Sequence, residues 1–147
     1  MASVTFRDLA IDEIGLMSDI DRAETIDGVY TSTNGILTFV QKRIDVHGWY
    51  ETEIPAHDSG IRAALDRGGA AFGAWDGDTL DGIIGLRIEP VGGDPTVMQL
   101  EPLHVSANHR NQGIGRKLVE MIAERARSLG GTAIYISSIP TRNSVDA

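Results

Sequence analysis

The sequence contains no cysteine, which excludes disulfide bonds, thiolate metal ligands and a cysteine nucleophile. It has no apolar run of transmembrane length. Its first residues, MASVTFRDLA, lack the basic and apolar segments of a secretory signal. We therefore expect a cytoplasmic protein without a membrane partner. Aromatic residues make up 5% of the chain, and no basic stripe with interleaved aromatics occurs, which argues against a nucleic-acid partner.

Basic residues are scarce in the first part of the chain and acidic residues in the last. Residues 1–60 hold 11 Asp and Glu against 4 Lys and Arg, whereas residues 105–147 hold 3 against 6. A solvated acidic surface explains this distribution without any partner. The alternative is a subsite for a cation in the first part and a subsite for an anion in the last.

The 147 residues suffice for one domain with a buried core, and we assign residues 1–147 to a single domain. Hydrophobic periodicity and turn residues predict its elements. The first elements are a strand at 3–10, a helix capped by Asp12 with Ile14, Met17 and Ile20 buried, and a hairpin over 28–44 that turns at Asn34-Gly35. A loop over 45–60 and a short helix capped by Asp58 or Ser59 follow. The last elements are a hairpin over 70–90, a strand at 97–106 interrupted at Pro102, a helix over 113–129 and a strand at 132–140.

The last three elements form a strand–helix–strand crossover, so the fold class is α/β with a mixed sheet. The segment TAIYISSIP at 132–140 is almost continuously apolar. This pattern predicts a strand covered on both faces.

The segment HRNQGIGRKL at 109–118 has the chemistry of an anion site. It lies between a predicted strand and a predicted helix, where backbone N–H groups have no intrahelical partner and the helix dipole is positive. Gly113 and Gly115 remove side chains that would keep an anion away. Arg110, Arg116 and Lys117 add positive charge, so the segment can hold a phosphate.

The glycine spacing selects among known phosphate loops. Position 118 is Leu, which departs from the Gly-x-Gly-x-x-Gly dinucleotide pattern, and the spacing does not match a P-loop. Arg110, Gly113 and Gly115 match Arg/Gln-x-x-Gly-x-Gly/Ala. With the flanking strand and helix, and with IYISSIPTRNS after them, the whole chain resembles the GNAT superfamily of acyl-CoA-dependent N-acyltransferases. The resemblance implies a mostly antiparallel mixed sheet.

The resemblance also implies acetyl-CoA as co-substrate, with no metal. Its pyrophosphate would lie on the loop, and its pantetheine arm would pair with strand 97–106 near Leu103 and Val105, where the fourth and fifth strands of the family separate. Asn143 matches the Asn that opens the last helix of the family. The residues implied in cofactor binding are Leu103, Val105, Arg110, Asn111, Gln112, Gly113, Ile114, Gly115, Arg116 and Asn143.

Transfer of an acyl group to an amine requires a base, because a free alkylamine with a pKa near ~10 is mostly protonated at neutral pH. Glu101 is the candidate catalytic base, since the family often places a carboxylate on this strand. A salt-bridged structural role for Glu101 is the alternative. His104 is a second candidate base, but strand alternation places it on the face opposite Glu101, Leu103 and Val105, which favours a structural or solvent-facing histidine.

The acceptor is not identified by any motif. Trp49 and Tyr50 lie in a polar loop and are candidate walls of an acceptor pocket, whereas Trp75 is expected in the core. The hairpin 28–44 is expected to border that pocket, with Asp45, Glu51 and Glu53 as carboxylates that attract an amine. The acidic first part of the chain favours a cationic small molecule or a protein amine as acceptor. The resemblance to GNAT proteins, which are often dimers, also leads us to consider a homodimer.

Three functions remain open from the sequence. They are an N-acetyltransferase, a catalytically silent acyl-CoA-binding module, and a phosphate-binding domain unrelated to CoA. The resemblance also leads us to expect a further helix and two strands after Asn143, the helix carrying a tyrosine general acid. We favour a shortened chain as the explanation for the position of these elements beyond residue 147. Strand exchange between subunits and a natural short form are the alternatives.

Overall fold

The computed structural model describes residues 3–147. We number the strands and α-helices in chain order and leave the 3₁₀ helices unnumbered. They are β1 (Val4–Asp8), a 3₁₀ helix (Ile11–Asp19), β2 (Glu24–Thr33), β3 (Ile36–Val46), α1 (Glu53–Asp66), β4 (Ala70–Asp76), β5 (Thr79–Arg87), β6 (Val97–Val105), a short 3₁₀ helix (Ala107–His109), α2 (Ile114–Ser128), β7 (Ala133–Ile136) and α3 (Arg142–Val145).

The main sheet has five strands in the order β1-β4-β5-β6-β7. The first three pairings are antiparallel, and only β6 and β7 run parallel. A parallel pair needs a crossover, and α2 provides it. The predicted α/β class, the mostly antiparallel mixed sheet and the strand–helix–strand unit are thus confirmed.

Each face of the sheet is covered by helix. On one face α2 packs its apolar stripe, of which Leu118 and Ile122 are fully buried, against β4, β5 and β6. On the other face the long 3₁₀ helix and α1 cover the alternate residues of β4 and β5, including Trp75 and Ile83. Coverage on both faces explains why β4 and β5 are apolar almost throughout. Trp75 lies in the core, as predicted.

The hairpin β2–β3 forms a separate two-stranded sheet. Asn34 and Gly35 have φ of 52° and 78°, the positive values that a two-residue hairpin turn of this kind requires. The C-terminal segment crosses the hairpin, because Tyr30 donates its backbone N–H to the carbonyl oxygen of Pro140 at 2.7 Å. The predicted hairpin and its turn are confirmed.

Two predicted helix starts are wrong. The first helix begins at Ile11 after Ala10, and the backbone N–H of Ala10 donates to the Glu13 carboxylate at 2.9 Å, so Glu13 does the capping that was expected of Asp12. α1 begins at Glu53, earlier than the predicted caps Asp58 and Ser59. Its Pro55 lies in the first turn, where no N–H is needed.

The predicted strand at 132–140 is also shorter and more exposed than expected. β7 ends at Ile136, and three of its four residues are exposed. It pairs with β6 on one side and is the edge of the described sheet, so its apolar side chains are not covered as those of a central strand would be. No helix among residues 3–147 is long and apolar enough to cross a membrane.

Candidate active site

A gap opens between the two parallel strands. β6 and β7 pair from Val97–Ala133 to Leu100–Ile136. β6 then continues to Val105 without a partner strand on the β7 side. The N–H of Ser106 donates toward β5, to the carbonyl oxygen of Asp81 at 2.7 Å. Backbone groups alternate in direction along a strand, so those of Leu103 and Val105 point to the open edge.

An irregularity in β6 decides which side chains face α1. The pairing of β5 with β6 shifts between Ile84 and Leu86, at Pro102 as predicted, because proline cannot donate to a ladder. A Cβ on Gly85 would collide with the carbonyl oxygen of Glu101, so the close approach requires glycine there.

The bulge corrects the predicted orientation of His104. Glu101 lines a cavity of about 20 Å³ beside His57 and Gly60 of α1. His104 also faces α1, with its Nε2 at 3.2 Å from Nε2 of His57. The extra residue in the bulge breaks the two-residue alternation, so Glu101 and His104 share a face.

The loop before α2 contains two residues with positive φ and leaves backbone N–H groups outside the helical ladder. Gly113 adopts φ of 85° directly before the helix, and Asn111 adopts φ of 61°. The first helical hydrogen bond runs from the N–H of Lys117 to the carbonyl oxygen of Gly113 at 3.0 Å. The N–H groups of Ile114, Gly115 and Arg116 therefore precede the helical ladder.

The two glycines of the loop leave open space. A Cβ on Gly113 would meet no atom within 4 Å, and a Cβ on Gly115 would only touch Val105 at an ordinary 3.8 Å. Packing within the described chain therefore does not require glycine at 115. The Ile114 side chain is buried in the core, so only its backbone can face a ligand, whereas Arg116 and Lys117 are exposed.

Arg110 is engaged by the protein itself. Its guanidinium donates to the carbonyl oxygens of Val105 at 3.0 Å, Ala23 at 2.7 Å and Asp21 at 3.4 Å. This fork ties the end of β6 to the segment that leads into the hairpin. Arg110 places positive charge beside the loop while it holds the loop in position. Gln112 donates to the carbonyl oxygen of Asn108 at 3.3 Å.

A charged cluster that the sequence analysis missed lies between the hairpin and α1. Arg22, only 10% exposed, donates to Glu24 at 2.6 Å and to Glu53 at 3.4 Å. Burial opposes the ionisation of Glu24, but its hydrogen bonds from Arg22 and Asn143 lower the pKa overall. Asn143 binds Glu24 at 3.2 Å and the carbonyl oxygen of Thr25 at 3.0 Å, so it joins α3 to β2.

Two histidines lie next to this cluster. The ring of Trp49 packs edge-on against His104 at 4.8 Å and donates from Nε1 to the carbonyl oxygen of Ile20 at 3.0 Å. Burial lowers the pKa of His104 to about 3, with smaller contributions from His57, Arg22 and Arg110. Burial also lowers the pKa of His57. Both rings are therefore neutral at pH 7.

An open cleft adjoins the start of the hairpin. It has a volume of about 390 Å³ and is lined by Ala23, Glu24, Thr25, Asp45, Val46 and His47. Two carboxylates, Glu24 and Asp45, thus face the same cleft. Tyr50, a predicted pocket residue, is 59% exposed, and its backbone N–H donates to Glu53 at 3.0 Å.

The sequence model of the acetyltransferase (GNAT) family matches residues 38–145. The chain belongs to this family. This GNAT domain is an acyl-CoA-dependent N-acetyltransferase with acetyl-CoA as its co-substrate. No curated protein matches the chain.

Solved structures share the GNAT fold. Nourseothricin acetyltransferase is 19% identical with a TM-score of 0.74, over 97% of this chain and 76% of the other. A protein from Bacillus anthracis str. Ames, described as a streptothricin acetyltransferase and solved with acetyl coenzyme A, is 15% identical with a TM-score of 0.72, over 96% and 78%. AAC(6')-Iy, solved with the bisubstrate analogue CoA-S-monomethyl-acetylneamine, is 14% identical with a TM-score of 0.61, over 96% and 83%.

The structure of the GNAT domain brings the predicted residues into two groups. The loop and the open edge of β6 are contiguous, because Arg110 binds the carbonyl oxygen of Val105. Glu101 and Trp49 instead lie on the α1 side, beside His57 and His104. Glu24 and His57 were given no role because Asn143 and His104, which they contact, lie 119 and 47 positions away. Two local signals were present: Arg22 and Glu24 lie two residues apart, and the spacing of four between Glu53 and His57 places both side chains on one face of a helix.

Proposed function

We propose that this GNAT domain acetylates a cationic amine, with CoA in the gap between β6 and β7 and the acceptor in the cleft beside the hairpin. The observation that carries the proposal is the position of the open β6 edge next to the loop before α2. One continuous path then leads from backbone donors suited to a pyrophosphate to a gap suited to an extended arm.

For the donor, the N–H groups of residues 111–116 would bind the pyrophosphate of CoA. Arg110 would act through its charge and by holding the loop, since its N–H groups already bind carbonyl oxygens. The pantetheine arm would pair with the backbone of Leu103 and Val105 on the open edge. The Val105 carbonyl oxygen already accepts from Arg110, which leaves the N–H of Val105 for the arm.

For the acceptor, the cleft supplies negative charge where an ammonium group would dock. Glu24 and Asp45 line it, and the pKa of Glu24 is held low, so this carboxylate is charged at neutral pH. Each already pairs with an arginine, Glu24 with Arg22 and Asp45 with Arg43, and their remaining lone pairs would accept hydrogen bonds from an ammonium group. A polyamine or an amino sugar fits this chemistry better than a neutral amine. A lysine or N-terminal amine of a protein is the other acceptor class to test.

Glu101 remains our proposed base. It lines the small cavity beside His57, whose volume of about 20 Å³ can hold one water molecule, so a proton could pass from the amine to Glu101 through water. Arg87 lies at 3.5 Å from the Glu101 carboxylate and would orient it. His104 is a poorer base at neutral pH, because its pKa of about 3 lies far from the working pH.

The test compares binding and turnover in two matched variants. Acetyl-CoA binding is measured by titration, and CoA thiol release is measured with polyamines, amino sugars, a lysine peptide and a neutral primary amine. For Glu101→Gln we expect a loss of about 10²-fold or more in kcat with unchanged acetyl-CoA affinity. Glu124→Gln, which replaces an exposed carboxylate on α2, should behave as wild type.

Two results would contradict the proposal. Acetyl-CoA binding without thiol release for any amine would favour the silent acyl-CoA-binding module. Equal turnover of Glu101→Gln and wild type would remove Glu101 from catalysis and leave its ion pair with Arg87 as its role.

A further inference from the structure

Three side chains converge at the opposite end of the loop from Gly113. Asp76 ends β4, Asp81 lies in β5, and His109 directly precedes Arg110. Nε2 of His109 is 3.5 Å from Oδ2 of Asp81 and 3.8 Å from Oδ2 of Asp76. One potential ligand atom from each residue lies within 4.8 Å of the other two.

These distances exceed hydrogen-bond lengths and are close to the spacing between two ligands of one ion. A hydrogen bond from nitrogen to oxygen spans about 2.7–3.2 Å, so both separations from His109 are too long. Two ligands at about 2.0–2.1 Å from a tetrahedral zinc ion are roughly 3.3–3.4 Å apart. The observed spacing needs only a small contraction to meet that geometry.

The buried groups of the cluster are left without partners. Asp81 is only 4% exposed, and neither its Oδ2 nor Nδ1 of His109 has a hydrogen-bond partner within residues 3–147. A buried carboxylate oxygen without a partner is costly, and a cation at this point would satisfy it.

We propose that Asp76, Asp81 and His109 bind a zinc ion that fastens the turn between β4 and β5 to the start of the CoA loop. An imidazole with two carboxylates suits zinc, whereas magnesium and calcium prefer oxygen ligands alone. The fourth position would be open to water. The ion would stabilise the position of His109, and through it that of Arg110, without taking part in acetyl transfer.

A second cluster in the molecule is a weaker candidate. Glu53, His57 and His104 also have ligand spacing, but their two histidine Nε2 atoms already lie at hydrogen-bond distance from each other. Glu53 is also bound by Arg22, whose charge would repel a cation. The test therefore has to separate the two clusters.

The experiment titrates tag-free, metal-stripped protein with zinc sulfate and, separately, with magnesium chloride, by calorimetry and by thermal unfolding. We expect one zinc ion per chain, a higher Tm with zinc, and no such response to magnesium. Asp81→Asn and His109→Gln should each weaken zinc binding at least tenfold. Asp78→Asn, an exposed carboxylate of the same turn, and His57→Gln should bind zinc as the wild type does.

Several results would overturn the proposal. They are no zinc binding by the wild type, equal binding by His109→Gln, or loss of binding in His57→Gln or Asp78→Asn. Circular dichroism establishes that each variant folds. If Asp81→Asn does not fold, Asp76→Asn takes its place, because the Asp76 side chain is 34% exposed and its replacement leaves no unpaired group deep in the core.

Discussion

The loop that leads into α2 and the charged cluster beside α1 are built in different ways. The loop offers backbone N–H groups from consecutive residues, and its glycines act by leaving space. The cluster joins side chains from the hairpin, α1 and α3, with Arg22 between two carboxylates and Asn143 on one of them. A site made of backbone N–H groups loses ligand affinity when a Cβ fills its space or when the side chain that holds the loop is removed. A charged cluster can be broken by replacing one side chain.

Arg22→Met should therefore have the largest effect on stability. It leaves Glu24 and Glu53 without their shared cation in a partly buried place, and breaking such a pair costs about 3 kcal/mol. Arg43→Met is the matched control, because the Arg43 side chain is 75% exposed in its pair with Asp45 and exposed pairs contribute at most about 1 kcal/mol. Chemical denaturation measures both. Equal losses in the two variants would mean that the cluster is no more than a surface ion pair.

Arg110 tests whether the loop depends on charge or on position. Arg110→Ala should lower the free energy of unfolding by about 2 kcal/mol, since hydrogen bonds from a charged donor are lost, and should weaken acetyl-CoA binding at least tenfold. Arg110→Lys keeps the charge but not the planar fork. We expect it to resemble Arg110→Ala in both measurements. Wild-type affinity in Arg110→Lys would show that charge alone is needed.

His104, which lies beside the charged cluster, should make stability depend on pH. His104 has a pKa near 6.5 when unfolded and about 3 when folded, so between these values the unfolded state binds a proton that the folded state does not. Stability should therefore fall as the pH drops below 6.5, by about 2 kcal/mol at pH 5. His104→Gln should show a flatter profile, whereas His47→Gln, in an exposed position, should follow the wild type. Parallel profiles for wild type and His104→Gln would contradict this.

Gly115→Ala should have the smallest effect on stability, and it should raise the free energy of unfolding whereas Arg22→Met and Arg110→Ala lower it. Alanine is favoured over glycine inside a helix by about 0.5–1 kcal/mol, and its Cβ has room in the protein. The same methyl group would occupy the space proposed for the pyrophosphate, so acetyl-CoA affinity should fall about tenfold, or ~1.4 kcal/mol. Gly15→Ala, in open space on the first 3₁₀ helix, should leave affinity unchanged. A more stable Gly115→Ala that binds acetyl-CoA normally would place the pyrophosphate elsewhere.

Local patterns predicted the parts of the fold whose causes are local. Asn34-Gly35 predicted the hairpin, because the turn itself requires positive φ. The apolar stripe that includes Leu118 and Ile122 predicted α2. The start of α1 was missed because WYETEIPAHDSG contains residues typical of loops. The helix begins there because Ile54 packs against the buried cluster that contains Trp75, and because Pro55 lies in the first turn, where its missing N–H costs nothing.

The residues of the candidate site also divide into those recognisable from local sequence and those placed by tertiary contacts. Gly113 and Gly115 could be recognised from spacing, and the separation of β6 from β7 followed from the resemblance to GNAT proteins. The face of His104 was predicted wrongly because strict alternation was assumed across Pro102, although the sequence itself predicted an interruption of the strand there. The fork of Arg110 to the carbonyl oxygens of Ala23 and Asp21 also could not, because those residues are 87 and 89 positions away.

By itself the sequence determined the hairpin turn at Asn34-Gly35, the glycine spacing of the loop before α2 and the helix that follows that loop. Each of these depends on residues close together along the chain, where backbone sterics and side-chain periodicity act directly. Only the tertiary structure decided which distant charges meet. The contacts of Arg22, the neutral pair His57 and His104, and the convergence of Asp81 with His109 depend on sheet register and on burial. Sheet register and burial are set by many weak contacts between segments that are far apart in the sequence.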